Sequence, residues 1–214
     1  MKLKICRVRD LASAHELIAV GVDYLGFHDL DTANVERSQR LAAINRALYA
    51  TGFTGGVLLT KATDAAWIVR SASNGLYPFV QLHRDASLSE IKKIARLLCK
   101  VGSSLIQVVD PSIHRASYAR EVLAHAKYVL YDNYIGGTGR AIVESQLDSM
   151  PMNRAFIAGG IDDVRAQRLQ SRFAPYAIDV QSWVQRPNEG TAPLGYSKDM
   201  NRVTQLVRIV RRSV

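Results

Sequence analysis

Cysteine is scarce. The 214-residue chain has two, Cys6 and Cys99, which give neither zinc-ligand spacing nor a disulfide framework. No stretch approaches ~18 consecutive apolar residues, so no hydropathic membrane span is expected. The opening "MKLKICRVRD" is too polar for a secretory leader. The expectation is a soluble cytoplasmic protein with no membrane partner. No nucleotide-binding glycine motif follows a strand-like run at the needed spacing, so no cofactor is expected. There is no aromatic-studded basic strand and no helix-turn-helix pattern, which argues against a nucleic-acid partner. Linkers and low-complexity segments are also missing, which points to one domain over residues 1–214.

What is present is an ordinary globular composition, 48% apolar and 22% charged, with a net charge of +9. Part of the surplus is local. The C-terminal "NRVTQLVRIVRRSV" places Val203, Leu206, Val207 and Val210 at helical spacing, with Arg202, Arg208, Arg211 and Arg212 between them. It reads as a docked helix with a solvated basic face. The alternative is a non-catalytic basic barrel that binds nucleic acid or a protein partner through this helix.

Segment order carries the fold. Apolar runs at 3–6, 24–27, 55–60, 79–83, 104–110, 128–132, 155–160 and 177–182 have the length and the Val, Ile, Leu and Phe content of buried strands. Helical patterns separate them. "DLASAHELIAV" starts at an N-cap, Asp10. Ser87 and Glu90 read as a capping box, and Gly102 as the residue after that helix. Cys99 falls within the same pattern and reads as core. "GRAIVESQLDSM" (139–150) is expected to be a helix and "VQRPNEGTAPLGYS" (184–197) a loop. Parallel strands need such crossovers, and eight strand–helix units predict an α/β fold, a closed (β/α)₈ TIM barrel.

Barrels of this kind place their chemistry at the C-terminal ends of the strands. The candidates are then Cys6, His28, Thr60, His83, Asp110, Asp132, Gly159, Gly160, Asp179, Gln181 and Ser182. Cys6 reads as a buried small side chain or as a general base whose thiol is brought toward neutrality. Arg7 and Lys4 are its sequence neighbours, with the direction of Lys4 left open. Asp132 reads as a cap or as a general acid raised by burial. The "GGTG" after it (Gly136 to Gly139) reads as a tight turn or as backbone made to approach an anion closely. Gly159 and Gly160 lie at strand 7, where barrels often hold phosphate. His83 reads as a structural histidine, or with His28 and Asp110 as a metal site. These three sit on separate strands with no i, i+4 pair, so metal is not expected.

Several runs together resemble the phosphoribosylanthranilate isomerase family. They are "LKIC", "GVDYLGF", "VQLH", "YDNYIGGTG", "IAGGID", "DVQSWV" and "GYSKD", collinear over nearly the whole chain. The resemblance implies a metal- and cofactor-free Amadori rearrangement of a ribosylamine phosphate, with Asp132 as acid and Cys6 as base. It implies phosphate held by backbone near Gly159, Gly160, Gln181 and Ser182, joined by Gly137 and Gly139. Arg37, Gln81, His83 and Asp179 would contact the rest of the substrate. Three departures stand out. Arg7 replaces the family's glycine after the cysteine. A Ser-Pro-Arg run after strand 2 is missing, leaving Arg37 as the nearest cation for a substrate carboxylate. Trp183 replaces a glycine in the strand 8 phosphate loop, where a bulky side chain and a disfavoured positive φ would alter the cradle. These departures keep open a sister sugar-phosphate isomerase or epimerase acting on a ligand without anthranilate.

Overall fold

The computed structural model of the chain describes residues 1–134, 142–187 and 196–212. Eight parallel strands close on themselves: β1 (Lys2–Cys6), β2 (Tyr24–His28), β3 (Gly56–Thr60), β4 (Phe79–Leu82), β5 (Ser104–Val109), β6 (Tyr128–Tyr131), β7 (Ala155–Ile157) and β8 (Ala177–Val180). β8 pairs back onto β1, with Lys4 opposite Asp179, and β1 pairs β2, with Cys6 opposite Gly26. The eight expected strands are these eight. Each is nearly all buried, the pattern of a sheet covered on both faces.

Helices α1 (Leu11–Ala19), α2 (Val35–Ala50), α3 (Ala65–Asn74), α4 (Leu88–Cys99), α5 (Ala116–Leu123), α6 (Asp163–Phe173) and α7 (Met200–Arg211) form the outer layer. Their starts follow the capping rule. Asp10 accepts from Ser13 N at 2.8 Å, and Asp64 and Asp162 cap α3 and α6 in the same way. Ser87 Oγ accepts from Glu90 N at 3.3 Å. The reciprocal half of that capping box is missing, because the Glu90 carboxylate binds Arg84 instead. Gly102 is left-handed (φ 73) but lies two residues beyond the C-cap Lys100. Among the described residues, no helix is long and apolar enough to cross a membrane.

Three sequence expectations are corrected. After β6, the described part of 139–150 holds a 3₁₀ turn, Glu144–Leu147, rather than an α-helix. The Ile142 carbonyl is taken by Arg165 (2.7 Å), and Gln146 N bonds three residues back to Val143 O (2.9 Å), so the i→i−4 ladder does not start. The ends of the expected C-terminal loop pair as an antiparallel ribbon, β9 (Gln185–Pro187) with β10 (Tyr196–Lys198). Cys99 is exposed. α4 buries Ile91, Ile94 and Leu98, and Cys99 lies about 100° further round from Leu98, past the edge of that stripe.

α7 docks as expected, burying Val203, Leu206, Ile209 and Val210. Part of its basic face is used in docking: Arg211 donates to the Asp23 carboxylate and the Gly21 carbonyl, each at 3.0 Å.

Two cores result. One lies between strands and helices, and the other fills the barrel. Inside, Tyr24, Phe79, Tyr128, Phe156 and Tyr176 pack edge-on, tilted or stacked at 4.6–6.3 Å between ring centroids. Most of them open their strands, so this aromatic floor closes the N-terminal end. The C-terminal end is left for polar side chains.

Close helix–strand packing has one sharp requirement. A Cβ on Gly56 of β3 would lie 1.9 Å from Asn45 Oδ1 of α2. Asn45 is buried there, donating to the carbonyls of Gly75 (2.8 Å) and Leu76 (3.1 Å). Gly56→Ala is expected to destabilise the protein by about 2–4 kcal/mol, from overpacking plus lost buried hydrogen bonds. A urea-unfolding midpoint equal to that of the parent would refute this requirement.

Candidate functional site

Alternation along β1 points Leu3 and Ile5 outward and Lys4 and Cys6 into the barrel. Lys4 is fully buried. Its Nζ donates to Asp179 Oδ2 (2.6 Å), Gln81 Oε1 (2.8 Å) and Cys6 Sγ (2.8 Å), joining β1, β4 and β8 at one point. The thiol in turn donates to Asp179 Oδ2 at 3.4 Å. Gln81 Nε2 lies 3.2 Å from His83 Nδ1, which extends the network one layer up.

This environment sets the proton positions. Burial works against the Lys4 charge, but Asp179 and Cys6 outweigh it, and its pKa is raised. Burial pushes the Cys6 thiol up to about 12, with Asp179 adding to the rise and Lys4 opposing it. Burial also raises Asp132 to about 7, against the Asn133 N–H that bonds its Oδ1 at 2.9 Å, with Asp179 adding to the rise. His83 is brought down to about 4 by burial, Lys61 and Lys4, and His28 is also lowered well below its ordinary value by burial first. At neutral pH the site therefore holds a neutral thiol, a carboxyl able to carry a proton and two neutral imidazoles beside the Lys4–Asp179 ion pair.

These groups open into a cavity of about 640 Å³ at the C-terminal mouth, a volume typical of small-molecule sites. Cys6, Arg37, Gln81, His83, Asp132, Gly159, Gly160, Asp179, Gln181 and Ser182 all line it. Gly159 (φ 85) and Gly160 (φ 57) are both left-handed, a turn suited to glycine, and lead into α6. Gly137 and Gly139 lie outside the described residues. Two other strand-end candidates serve local turns: Asp110 accepts from Ser112 N (2.9 Å) and Oγ (2.6 Å), and Thr60 Oγ1 accepts from Ala62 N (3.1 Å).

The departures resolve individually. Trp183 is absent from the cavity lining. It packs on the core, with the Arg202 guanidinium 5.4 Å above its ring, and its φ is not positive. The indole therefore does not line the mouth. Arg7 takes φ 63, a left-handed conformation that glycine adopts freely and that costs other residues roughly 1 kcal/mol. Its side chain joins the mouth. Arg37, in the first turn of α2, is held by Asp29 (3.9 Å) and Asp31 (3.6 Å). One turn further along, Arg40 also lines the cavity.

Of three further contributors, the sequence reading left Lys4 undecided and missed Gly26 and Lys198. Lys4 could have been found as a lysine two residues before Cys6 in a buried strand, hence on the same face. Gly26 had no signal beyond being a glycine in a strand. A Cβ there would sit 2.5 Å from Cys6 Sγ, so Gly26 makes room for the thiol. Lys198 of β10 donates to the Cys6 carbonyl at 2.6 Å, and its own pKa is lowered to about 8 by burial.

Comparison with known proteins agrees with this fold. The family described as N-(5'phosphoribosyl)anthranilate (PRA) isomerase matches residues 3–206. N-(5'-phosphoribosyl)anthranilate isomerase of Streptococcus gordonii is 24% identical over 100% of this chain and 99% of its own. Among solved structures, phosphoribosyl anthranilate isomerase from Thermus thermophilus superposes with a TM-score of 0.77 at 22% identity, covering 98% of both chains. Another, with a TM-score of 0.71 at 18% identity, covers 99% of this chain and 98% of that one. It is a phosphoribosyl anthranilate isomerase in complex with reduced 1-(o-carboxyphenylamino)-1-deoxyribulose 5-phosphate.

The two thiols should differ sharply. Exposed Cys99 is expected to alkylate quickly with iodoacetamide at mildly alkaline pH, and Cys6 slowly. Asp179→Asn removes an anion that raises the Cys6 pKa and frees Lys4 to pair with the thiolate, so Cys6 should alkylate several-fold faster. Peptide mass spectrometry showing no acceleration would disprove the electrostatic coupling.

Proposed function

The chain belongs to the N-(5'-phosphoribosyl)anthranilate isomerase family, and we propose that it performs that family's isomerisation in tryptophan biosynthesis, as a cytoplasmic enzyme. The substrate is a ribosylamine phosphate and the product an aminoketone, 1-(o-carboxyphenylamino)-1-deoxyribulose 5-phosphate. The reaction is an internal aldose-to-ketose shift that needs proton transfers and no external oxidant. The observation that carries this reading is the convergence of Cys6 and Asp132 on one cavity rimmed by the Gly159–Gly160 turn.

Asp132 holds its proton up to about pH 7, so at neutrality it has one to give. It protonates the furanose oxygen as the bond from that oxygen to C1′ breaks, while the substrate nitrogen supplies electrons and becomes an iminium. The C2′ proton is then acidic. Cys6 removes it as a thiolate, and the C–H electron pair flows to the iminium nitrogen to give an enolamine, which tautomerises to the ketone. The substrate iminium supplies positive charge beside the thiol, and Lys4 already stands 2.8 Å from Sγ. Both favour the thiolate, and Asp179, 3.4 Å away, is the acceptor for the displaced proton. Lys4 touches donor and acceptor together, so charge moves between sulfur and carboxylate without leaving its reach.

Positioning supplies the rest. Backbone near Gly159, Gly160, Gln181 and Ser182 anchors the phosphate, as barrels commonly do at this rim. Gln81, His83 and Asp179 face the ribose. With the Ser-Pro-Arg run missing, Arg37 takes the aryl carboxylate from the first turn of α2.

Cys6→Ala and Asp132→Asn should each lower turnover about 10²–10⁴-fold, with circular dichroism unchanged. Retained rates in both variants would end this reading. Growth of a tryptophan-requiring strain lacking the isomerase tests the substrate directly. The rate should fall as pH rises past about 7, where Asp132 loses its proton. Stability carries the same sign. The folded pKa lies above the ordinary 3.8, so the contribution of Asp132 is full below about 4 and is lost as pH rises through about 7. Asp132→Asn should flatten both profiles.

A further inference from the structure

The β9–β10 ribbon meets the end of β1 through one side chain. Lys198 of β10 is absent from the lining of the barrel mouth, yet its Nζ donates to the Cys6 carbonyl at 2.6 Å. Among the described residues this is its one hydrogen bond. The carboxylates around it are engaged elsewhere. Asp199 is held by Arg186 and by the first turn of α7, and Asp179 by Lys4. Burial lowers the Lys198 pKa to about 8, with Arg7 and Arg9 adding to the fall and Cys6 and Asp179 opposing it. A half-buried ammonium set near two guanidinium groups, with no carboxylate of its own, is poorly explained by stability. Groups perturbed in this way cluster at functional sites.

The carbonyl that Lys198 holds belongs to the peptide between Cys6 and Arg7. Arg7 takes the left-handed φ of 63. A side-chain-bearing residue keeps such a conformation only where its surroundings hold it. The next anchor is Val8 N, bonded to Gly26 O at 3.0 Å. Turning the Cys6–Arg7 peptide would move Sγ relative to Lys4 and Asp179, its partners at 2.8 and 3.4 Å.

We propose that Lys198 is a positioning residue for Cys6: its grip on the Cys6 carbonyl keeps the Cys6–Arg7 peptide, and so the thiol, aligned with the substrate, and its ammonium favours the thiolate while the C2′ proton is removed. Lys198 acts through Cys6 and touches no reacting atom. The proposal rests on the isomerase reading for the reaction it serves. Misplacing a reacting group by about 1 Å can cost on the order of 10²-fold in rate.

Lys198→Met removes donor and charge at similar length, and Lys198→Arg keeps both. In Lys198→Met kcat should fall roughly tenfold or more with KM within about twofold, and Lys198→Arg should recover most of the loss. Alkylation of Cys6 by iodoacetamide, read by peptide mass spectrometry, is a second arm that needs no turnover. At neutral pH Lys198 is protonated, so Cys6 should react several-fold more slowly in Lys198→Met than in the parent. That gap should close as pH rises past about 8, where the parent's Lys198 loses its proton, and stay open for Lys198→Arg. The other charged or titratable groups around this point, Lys4, Arg7, Arg9, His28 and Asp179, are common to all the proteins compared. Circular dichroism checks folding, and Lys198→Gln, which also lacks the charge, replaces Lys198→Met if that variant does not fold. Parent-like kcat, or equal alkylation at neutral pH, overturns the proposal. Faster alkylation would make Lys198 only a cover over the thiol and overturns it too. A parent without turnover would end the isomerase reading instead, and the alkylation arm would still decide whether Lys198 governs the thiol.

Discussion

The contact between Lys4 and Asp179 governs the interior of this barrel. An ammonium and a carboxylate 2.6 Å apart, with side chains 0% and 7% exposed, lie where water cannot solvate them. Removing such charges from water costs several kcal/mol per ion in real proteins, and an apolar replacement of similar shape is often as stable or more so. The pair is therefore poorly explained by stability. Its geometry suits another purpose: one ammonium touches the carboxylate, the thiol and the Gln81 amide oxygen at once. Both proton positions of the Cys6–Asp179 contact are then compensated by the same cation. The pair also joins three strands at one level, which fixes the thiol against the cavity.

The barrel interior is graded along its axis. Aromatic rings fill the N-terminal end, and the ion-pair layer lies above them. Neutral imidazoles, the Asp132 carboxyl and the left-handed glycine turn ring the mouth. The same burial acts in opposite directions on acids and bases. It raises Asp132 and Cys6, and it lowers His28, His83 and Lys198. At the level of the Lys4–Asp179 pair the thiol is held neutral, while the rim above carries the cations Arg7, Arg37, Arg40 and Lys61.

Much of this was legible in the sequence. The strands could be read because parallel sheet buries both faces, so each strand is a short unbroken apolar run. The strand-end rule then placed Cys6, Asp132, Asp179 and the Gly159–Gly160 turn on one rim. What could not be read depended on direction and on contacts between distant segments. Lys4 was ambiguous because a lysine in a strand can snorkel or turn in. The effect of Trp183 on the phosphate loop could not be read because its place along the chain is clear and its side-chain direction is not. Residues 139–150 read as helix because their composition allows one, and the competing Arg165 side chain comes from another part of the chain. Cys99 missed the core by one residue's rotation about α4. Gly26 and Gly56 matter only through what lies opposite them, Cys6 Sγ and Asn45.

Lys198 has a consequence for how the protein comes into being. Its ammonium clasps the main-chain oxygen of Cys6, 192 residues earlier in the chain, and β8 completes the ring against β1. During synthesis the first strand emerges with Lys4 and Cys6 but without Gln81, Asp179 or Lys198. Until β8 arrives, it carries a lysine and a thiol lacking the partners that neutralise and shield them. The site cannot ripen step by step with translation. It forms only when the segment carrying β8 and Lys198 closes over β1.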